Sequence, residues 1–185
     1  MGEQRKKHNR REHLNDFHLN VAGEYVYDGA LYACQNDDAK QRRSKRAVWG
    51  MAAILTVAVA AGGCIPAPGM QNCFYVLLPY LGEFLGAASV IWALAKLGMD
   101  WGTVREYNYK KSVAVLPVRT AVTAVFSGLG IVCELIFFFV NDHAGQTFFA
   151  LLYVLLKLIA LLSVLVLRAE IMQAEWDKLP KKNNS

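Results

Sequence analysis

Four long apolar runs constrain the fold of this chain more than any other feature of its sequence. They extend over about residues 47–63, 74–97, 116–140 and 147–167, and few charged residues interrupt them. A helix needs about 20 apolar residues to cross a hydrocarbon core, where no water satisfies an exposed backbone. The runs lack the alternation of polar and apolar residues that is typical of β-barrel strands. They predict an all-α, four-helix transmembrane bundle in which neighbouring helices pack as antiparallel hairpins.

The first run is the shortest and is rich in Ala and Gly, so a signal peptide is an alternative interpretation. The 46 residues that precede it are far longer than the n-region of a signal peptide. We therefore predict a retained helix. On this interpretation residues 1–46 form a basic N-terminal segment that is cytoplasmic or interfacial, residues 47–168 form the transmembrane domain, and residues 169–185 form a cytoplasmic tail.

The distribution of lysine and arginine predicts how the chain is oriented. Ten of the 20 basic residues precede the first run, five lie around the second loop and four follow the fourth run, whereas loops 64–73 and 141–146 contain none. In membrane proteins the cytoplasmic loops carry the excess of Lys and Arg, which is the positive-inside rule. The pattern therefore predicts a multi-pass protein of the cell membrane with both termini in the cytoplasm.

The basic N-terminal segment is predicted to contact lipid. Anionic lipid of the inner leaflet attracts each nearby basic side chain by about 1 kcal/mol. Nucleic acid is not expected as a partner, because no folded recognition module accompanies the charge. The Tyr-rich stretch 23–34 is expected either to lie against the inner membrane face or to dock onto a partner protein. The basic residues expected at the inner leaflet directly precede the first run: Arg42, Arg43, Lys45 and Arg46.

Glu83, Glu134 and Lys157 are ionisable residues in three different apolar runs and are the strongest functional candidates. At about 1.5 Å per helical residue they lie about 13, 9 and 15 Å from the outer ends of their runs. Because an ionised side chain near the bilayer centre costs about 2.5–3.5 kcal/mol, we expect the three to face inward and pair. Two carboxylates for one ammonium favour a protonated acid, a bound cation or water. A structural polar network and a transport or ligand site both fit this pattern.

Helix-packing residues surround two of these charges. Pro79 lies four residues before Glu83 and removes one backbone donor, which favours a kink. Gly82 and Gly86 form a G-x-x-x-G pair that allows close approach of another helix. The third run carries a similar small surface that includes Gly128 and Gly130. We expect these surfaces to meet inside the bundle.

Cys64 and Cys73 flank the first outer loop, IPAPGMQN. On an oxidising outer face a disulfide between them would staple the first helical hairpin, and the alternative is two free thiols. A thiol oxidoreductase is not expected, because the chain has no Cys-x-x-Cys pair.

Motifs for catalysis and for cofactor or metal binding are missing from the sequence. The four His residues all lie outside the apolar runs, which excludes a haem bundle with two His ligands. The chain contains no P-loop, dinucleotide fingerprint, nucleophile elbow or H-E-x-x-H motif. We therefore expect no enzymatic activity, no cofactor and no metal.

A resemblance to known proteins covers about the first 100 residues. Three features carry it. The first is the Tyr-rich pattern Tyr25-x-Tyr27-x-Gly29-x-x-Tyr32, and the second is the basic run that follows this pattern. The third is the segment FYVLLPYLGEFL, from Phe74 to Leu85. These features resemble a group of small uncharacterised bacterial four-helix membrane proteins. The resemblance implies four membrane helices and no particular activity.

Two functions fit the sequence. The first is a non-enzymatic accessory or assembly component of the membrane, which packs against a membrane-protein partner or a second copy of itself. The alternative is a small proton- or cation-coupled transporter that uses Glu83, Glu134 and Lys157. A transporter requires contact between these residues and a path by which solvent reaches them.

Overall fold

Four long helices make up most of the structure, a computed structural model that describes residues 17–19, 23, 25–27, 29–98, 101–141 and 147–179. The chain is mostly helical, at 79%, which confirms the predicted all-α four-helix class. The basic residues before position 17, the loop residues 142–146 and the end of the tail lie outside the described residues, together with the predictions made for them.

The long helices are α1 (Asp38–Cys64), α3 (Phe74–Leu97), α5 (Leu116–Val140) and α6 (Thr147–Met172). Two short helices, α2 (Pro68–Asn72) and α4 (Glu106–Lys111), lie in the connections on either side of α3. The long helices are long and apolar enough to cross a membrane, so the chain is a multi-pass membrane protein. Their outward faces expose large apolar side chains, among them Leu85 and Phe139. Hydrocarbon can cover such faces at no cost, because lipid tails are as apolar as these side chains.

The helix boundaries follow the apolar runs in the middle of the chain and depart from them at its ends. The helices α3 and α5 span the residues predicted for them. By contrast, α1 begins at Asp38 instead of about residue 47, and α6 continues past residue 167 to Met172. Hydropathy indicates how deep a residue lies in the membrane, whereas Lys, Arg and Gln also favour helices in water. The basic run before residue 47 is therefore helical.

The long helices are arranged as a ring in the order α1, α3, α5, α6. The pairs α1–α6, α3–α5 and α5–α6 share extensive contacts, whereas α1 and α3 touch over a smaller area. The hairpin of α1 and α3 is therefore looser than the hairpin of α5 and α6. The short helix α2 fills one end of the bundle and packs against α3, α5 and α6. We call this end the α2 end.

The opposite end of the bundle carries a three-stranded antiparallel sheet, and we call it the sheet end. A separate antiparallel pair, β1 (Phe17–Leu19) and β2 (Tyr25–Tyr27), precedes this sheet. In the sheet, β3 (Leu31–Cys34) lies between β4 (Thr103–Arg105) and β5 (Trp176–Lys178). The sheet thus joins the N-terminal segment, the loop between α3 and α5, and the tail.

The sheet changes the interpretation of the Tyr-rich stretch 23–34. Its residues Leu31–Cys34 form a strand that pairs within the chain, a role that neither of the two predicted alternatives included. Backbone hydrogen bonds extend the pairing beyond the strands: Gln35 N–H donates to the Glu175 carbonyl over 3.0 Å, and Glu106 N–H donates to Ala30 over 3.0 Å. Residues 30–35 are therefore hydrogen-bonded to the loop between α3 and α5 and to the tail of the same chain.

An aromatic cluster binds the sheet to the helices. The rings of Tyr32 and Tyr109 stack, with centroids 4.1 Å apart and planes 3° from parallel. Trp176 lies 6.0 Å from Tyr109 and 6.3 Å from Trp101. Trp101 is only 4% exposed and belongs to the same apolar core as Val48. This core continues towards the middle of the bundle as a second layer of apolar side chains.

Candidate functional site: a polar layer near the α2 end

The three ionisable residues of the apolar runs lie on the inner faces of their helices. Glu83 on α3 and Glu134 on α5 are 0% exposed, and Lys157 on α6 is 2% exposed. Each continues a buried stripe with steps of three or four residues, such as Ser127, Gly130 and Glu134 on α5. These steps match the 3.6-residue period of a helix. The bundle thus has a layer of buried polar groups, which we call the polar layer.

Glu83 and Lys157 form a buried ion pair between α3 and α6. The Lys157 ammonium donates a hydrogen bond to Oε2 of Glu83. It also lies 4.6 Å from the ring centroid of Tyr80 and 5.1 Å from that of Tyr153. Cations over aromatic faces gain electrostatic energy, and more of it when they are desolvated. The ammonium is therefore held by one carboxylate and two rings.

The backbone of α5 makes room for the Lys157 side chain. Gly130 faces its methylene groups, since a Cβ placed at Gly130 would lie 3.7 Å from the Cε atom of Lys157. One turn away, the Ser127 hydroxyl donates to the Lys157 carbonyl over 3.3 Å. Gly130 therefore packs against the aliphatic part of the Lys157 side chain.

Glu134 is placed differently from the other two ionisable residues. Its carboxylate lies against Gly69 in the first turn of α2, where a Cβ would come within 2.9 Å of its Cδ atom. The amide of Gly69 is the backbone donor that faces it. Even so, within the described ranges neither oxygen of Glu134 meets the geometry of a hydrogen bond. Glu134 thus lies under α2 without joining the ion pair.

Two further oxygens of the polar layer have no hydrogen-bond partner among the described residues, namely Oε1 of Glu83 and the hydroxyl of Tyr153. A buried acceptor without a donor costs about 1–3 kcal/mol, and a charged one costs more. With all side chains ionised, the two carboxylates and the single ammonium leave one negative charge. This arrangement can bind a positive charge, and its geometry does not resemble a nucleophile held by a base.

Tyr80 and Tyr153 also belong to this layer, although the predicted site did not include them. Tyr80 precedes Glu83 by three residues and Tyr153 precedes Lys157 by four. Residues at these spacings share a helix face. An aromatic residue one turn before an inward-facing charge therefore indicates, from the sequence alone, a side chain that can contact the polar layer.

The predicted small-residue surfaces meet only in part. A Cβ at Gly82 would lie 2.5 Å from the Phe126 ring, and a Cβ at Gly86 would lie 2.6 Å from the Thr123 hydroxyl, so both glycines admit α5. The prediction for Gly128 is wrong: nothing among the described residues lies within 4 Å of its Cβ position. The inner stripe of α5 passes through Ser127, and the next residue is rotated about 100° away from it.

The other predicted packing residue, Pro79, lies inside α3, and the helix continues on both sides of it. Its missing N–H leaves the Tyr75 carbonyl without the usual helical donor. The ring of Tyr80, the next residue, crosses to α1, where its hydroxyl donates to the Val59 carbonyl over 3.4 Å. Pro79 thus belongs to the turn of α3 that leads into the polar layer.

We expect alanine to have opposite effects at Gly86 and Gly128. At Gly86 the new methyl group would crowd Thr123, including its backbone Cα at 3.3 Å, and should destabilise the protein by about 1–3 kcal/mol. Gly128→Ala meets open space and should stabilise it by about 0.5–1 kcal/mol, because alanine favours a helix over glycine. Unfolding in mixed detergent micelles measures both. Equal effects at the two positions would contradict this account of α3–α5 packing.

The cysteines of the first loop are two free thiols, which is one of the two alternatives that the sequence left open. The four cysteines of the chain, all among the described residues, are free thiols, and Cys64 is exposed. The loop between Cys64 and Cys73 contains a short helix, because residues 68–72 form α2. The amide of Cys73 donates to the Gly69 carbonyl over 2.9 Å and so closes this helix. The first hairpin is connected through α2 packing instead of a covalent bond.

The basic residues predicted at the inner leaflet lie in the first turns of α1, at the sheet end. Arg42, Arg43 and Arg46 are exposed and line an open cleft with Asp38 and Ala39. Lys45 is half-buried. The three arginines thus present their charges outward on one helix.

Comparisons with protein-family models, with curated proteins and with solved structures find no match to this chain.

Proposed function

We propose that this chain is a non-enzymatic component of the cell membrane that serves as an accessory or assembly subunit. The observation that carries the proposal is the closure of the polar layer, in which Glu83, Glu134 and Lys157 are at most 2% exposed. The Glu83–Lys157 pair spans two helices, and such a pair fixes their relative rotation. Buried polar groups are best attested in this role, as determinants of helix register.

The orientation proposed for this component places both termini in the cytoplasm. The alternation of Lys and Arg between loops supports it. In this orientation the sheet end faces the cytoplasm, and Arg42, Arg43, Lys45 and Arg46 reach the anionic headgroups of the inner leaflet. The outward apolar faces of the helices remain for lipid, a membrane-protein partner or a second copy.

Native cysteines test this orientation directly. A maleimide that does not cross membranes is expected to label Cys64, which is exposed at the α2 end, in intact cells. Cys34 in β3 should react only after the membrane is permeabilised. Two variants serve as matched controls for each other: one retains only Cys64 and the other only Cys34, with the remaining three cysteines changed to Ser. Labelling of Cys34 in intact cells would overturn the proposed orientation.

A small proton- or cation-coupled carrier is the second candidate. The specific observation in its favour is Glu134, a fully buried carboxylate without a hydrogen-bond partner in the described part of the chain. A carrier uses such a group to bind its coupling ion near the middle of the membrane. In this view the closed polar layer represents an occluded state.

Reconstitution distinguishes the two candidates. For an accessory component, vesicles that contain the purified chain should lose an imposed pH or sodium gradient no faster than empty vesicles. Gentle detergent extraction from cells should yield a complex larger than the 20.6 kDa chain in its micelle. For a carrier, the chain should accelerate the loss of a gradient, and Glu83→Gln should abolish that acceleration. Flux of this kind from a monomeric chain would overturn the accessory role.

A further inference from the structure

We propose that Glu134 is a proton-binding site, and that its carboxyl group is protonated and neutral as long as α2 covers it. The inference concerns one side chain and is independent of whether the protein is an accessory subunit or a carrier. Glu134 is 0% exposed, and neither of its oxygens is hydrogen-bonded within the described residues. An ionised carboxylate in this position would lack water, and the Gly69 amide that faces it is not placed to donate a hydrogen bond.

The groups around Glu134 do not supply a compensating positive charge. The titratable residues that interact with it are Tyr75 on α3 and Tyr153 on α6, and neither carries positive charge. The sequence of α2, PGMQN, contains no titratable side chain. Tyr153 also interacts with Glu83, the other carboxylate of the layer. The surroundings of Glu134 are thus neutral or negative.

Lys157, the one cation of the polar layer, is paired with Glu83. Lys157 donates to Glu83, which lies on a different helix from Glu134, and its ammonium faces the rings of Tyr80 and Tyr153. If Lys157 neutralises Glu83, the remaining charge of the layer is that of Glu134. Charge neutrality in a low-dielectric site then requires one more proton or cation at Glu134.

A proton fits this place better than a metal cation. The carboxylate lies so close to Gly69 that a single methyl group on that residue would overlap with it. Sodium or potassium requires several oxygens around an open space, and the close contact between Gly69 and the Glu134 carboxylate leaves little room for one. A proton requires only one oxygen, and it turns an acceptor-only group into a hydrogen-bond donor.

Proton binding at Glu134 also links α2 to pH. With Glu134 neutral, α2 can stay packed at the end of the bundle, where Ala67, Pro68 and Gly69 are buried. Loss of the proton leaves a charge that needs water, and water reaches Glu134 only if α2 moves away. Raising the pH should therefore loosen α2 before it affects the sheet end.

Infrared difference spectroscopy of the full chain in lipid nanodiscs tests the proposal. The C=O stretch of a protonated carboxylic acid should be present at neutral pH and should disappear in Glu134→Gln. A stretch that survives Glu134→Gln, or the absence of any such band in the wild type, would overturn the proposal. Loss of the band on replacing choline chloride with sodium chloride at constant pH would assign the site to a cation and would overturn it as well.

A second measurement needs no variant and so does not depend on how Glu134→Gln folds. Dicyclohexylcarbodiimide enters membranes and reacts with protonated carboxyl groups. Peptide mass spectrometry of the treated wild-type chain should locate the adduct at Glu134, with Glu83 unmodified as the internal control, and the yield should fall as the pH rises. Modification of Glu83 in preference to Glu134 would place the proton on the other carboxylate and contradict the inference.

Discussion

Replacing Lys157 with methionine is expected to destabilise the bundle by about 3–5 kcal/mol, because removing one member of a buried ion pair leaves an uncompensated charge. The unpaired group would be Glu83, which is 0% exposed. The change also removes the ammonium from the faces of Tyr80 and Tyr153. Titration with denaturing detergent in mixed micelles measures the free energy of unfolding.

A double-mutant cycle separates the ion pair from these other effects. Glu83→Gln alone should also destabilise the protein, since it leaves the ammonium without its carboxylate. The double variant Glu83→Gln with Lys157→Met should regain most of the loss, because it leaves no buried charge on either helix. Additive losses would mean that Glu83 and Lys157 do not interact. A charge exchange, Glu83→Lys with Lys157→Glu, tests whether only the pairing matters.

Truncating Trp101 to alanine is the second change with a large expected effect, about 3–5 kcal/mol, because it removes a buried aromatic side chain and leaves a cavity. Trp101 is 4% exposed and lies between the helix core and Trp176 of β5. Its loss should loosen the sheet end more than the α2 end. Limited proteolysis between β3 and α1 should accelerate accordingly.

Trp92 provides the matched control for this truncation. It lies on the outer face of α3, is 62% exposed and contacts Lys96 through its ring at 5.3 Å. Trp92→Ala should therefore cost less than about 1 kcal/mol, the range for a cation–π contact at an exposed site. Equal losses for Trp92→Ala and Trp101→Ala would mean that the aromatic cluster does not hold the sheet to the bundle.

The number of spanning helices could be predicted from the sequence, whereas the sheet could not. Apolar runs identify spanning helices because hydrocarbon imposes one requirement on all of them, an internally bonded backbone. The strands Thr103–Arg105 and Trp176–Lys178 have three residues each, with no repeated pattern to mark them. Their partner in the sheet, Leu31–Cys34, is about 70 and 140 residues away along the chain. Pairing of this kind depends on where the helices bring their ends.

The candidate site could be predicted as a set of residue types but not as a set of contacts. The cost of charge in lipid accounts for why Glu83, Glu134 and Lys157 turn inward. Which carboxylate meets the ammonium depends on how each helix is rotated and translated, and this depends on packing at positions such as Gly86 and Gly130. The same limit explains the error at Gly128. A glycine in a membrane helix indicates that close approach is allowed, and its neighbours decide whether it occurs.

The central position of β3 in the sheet sets an order of events during synthesis. This strand leaves the ribosome before any spanning helix, and Trp176 of β5 follows Cys34 by roughly 140 residues. At about 5–20 residues per second, β3 waits roughly 7–30 s for its last neighbour. During that interval one edge of β3 stays open even after β4 has paired with it. The sheet is therefore completed only after all four helices have been synthesised. A chain released before that point would expose an unpaired edge of β3 to quality-control proteases.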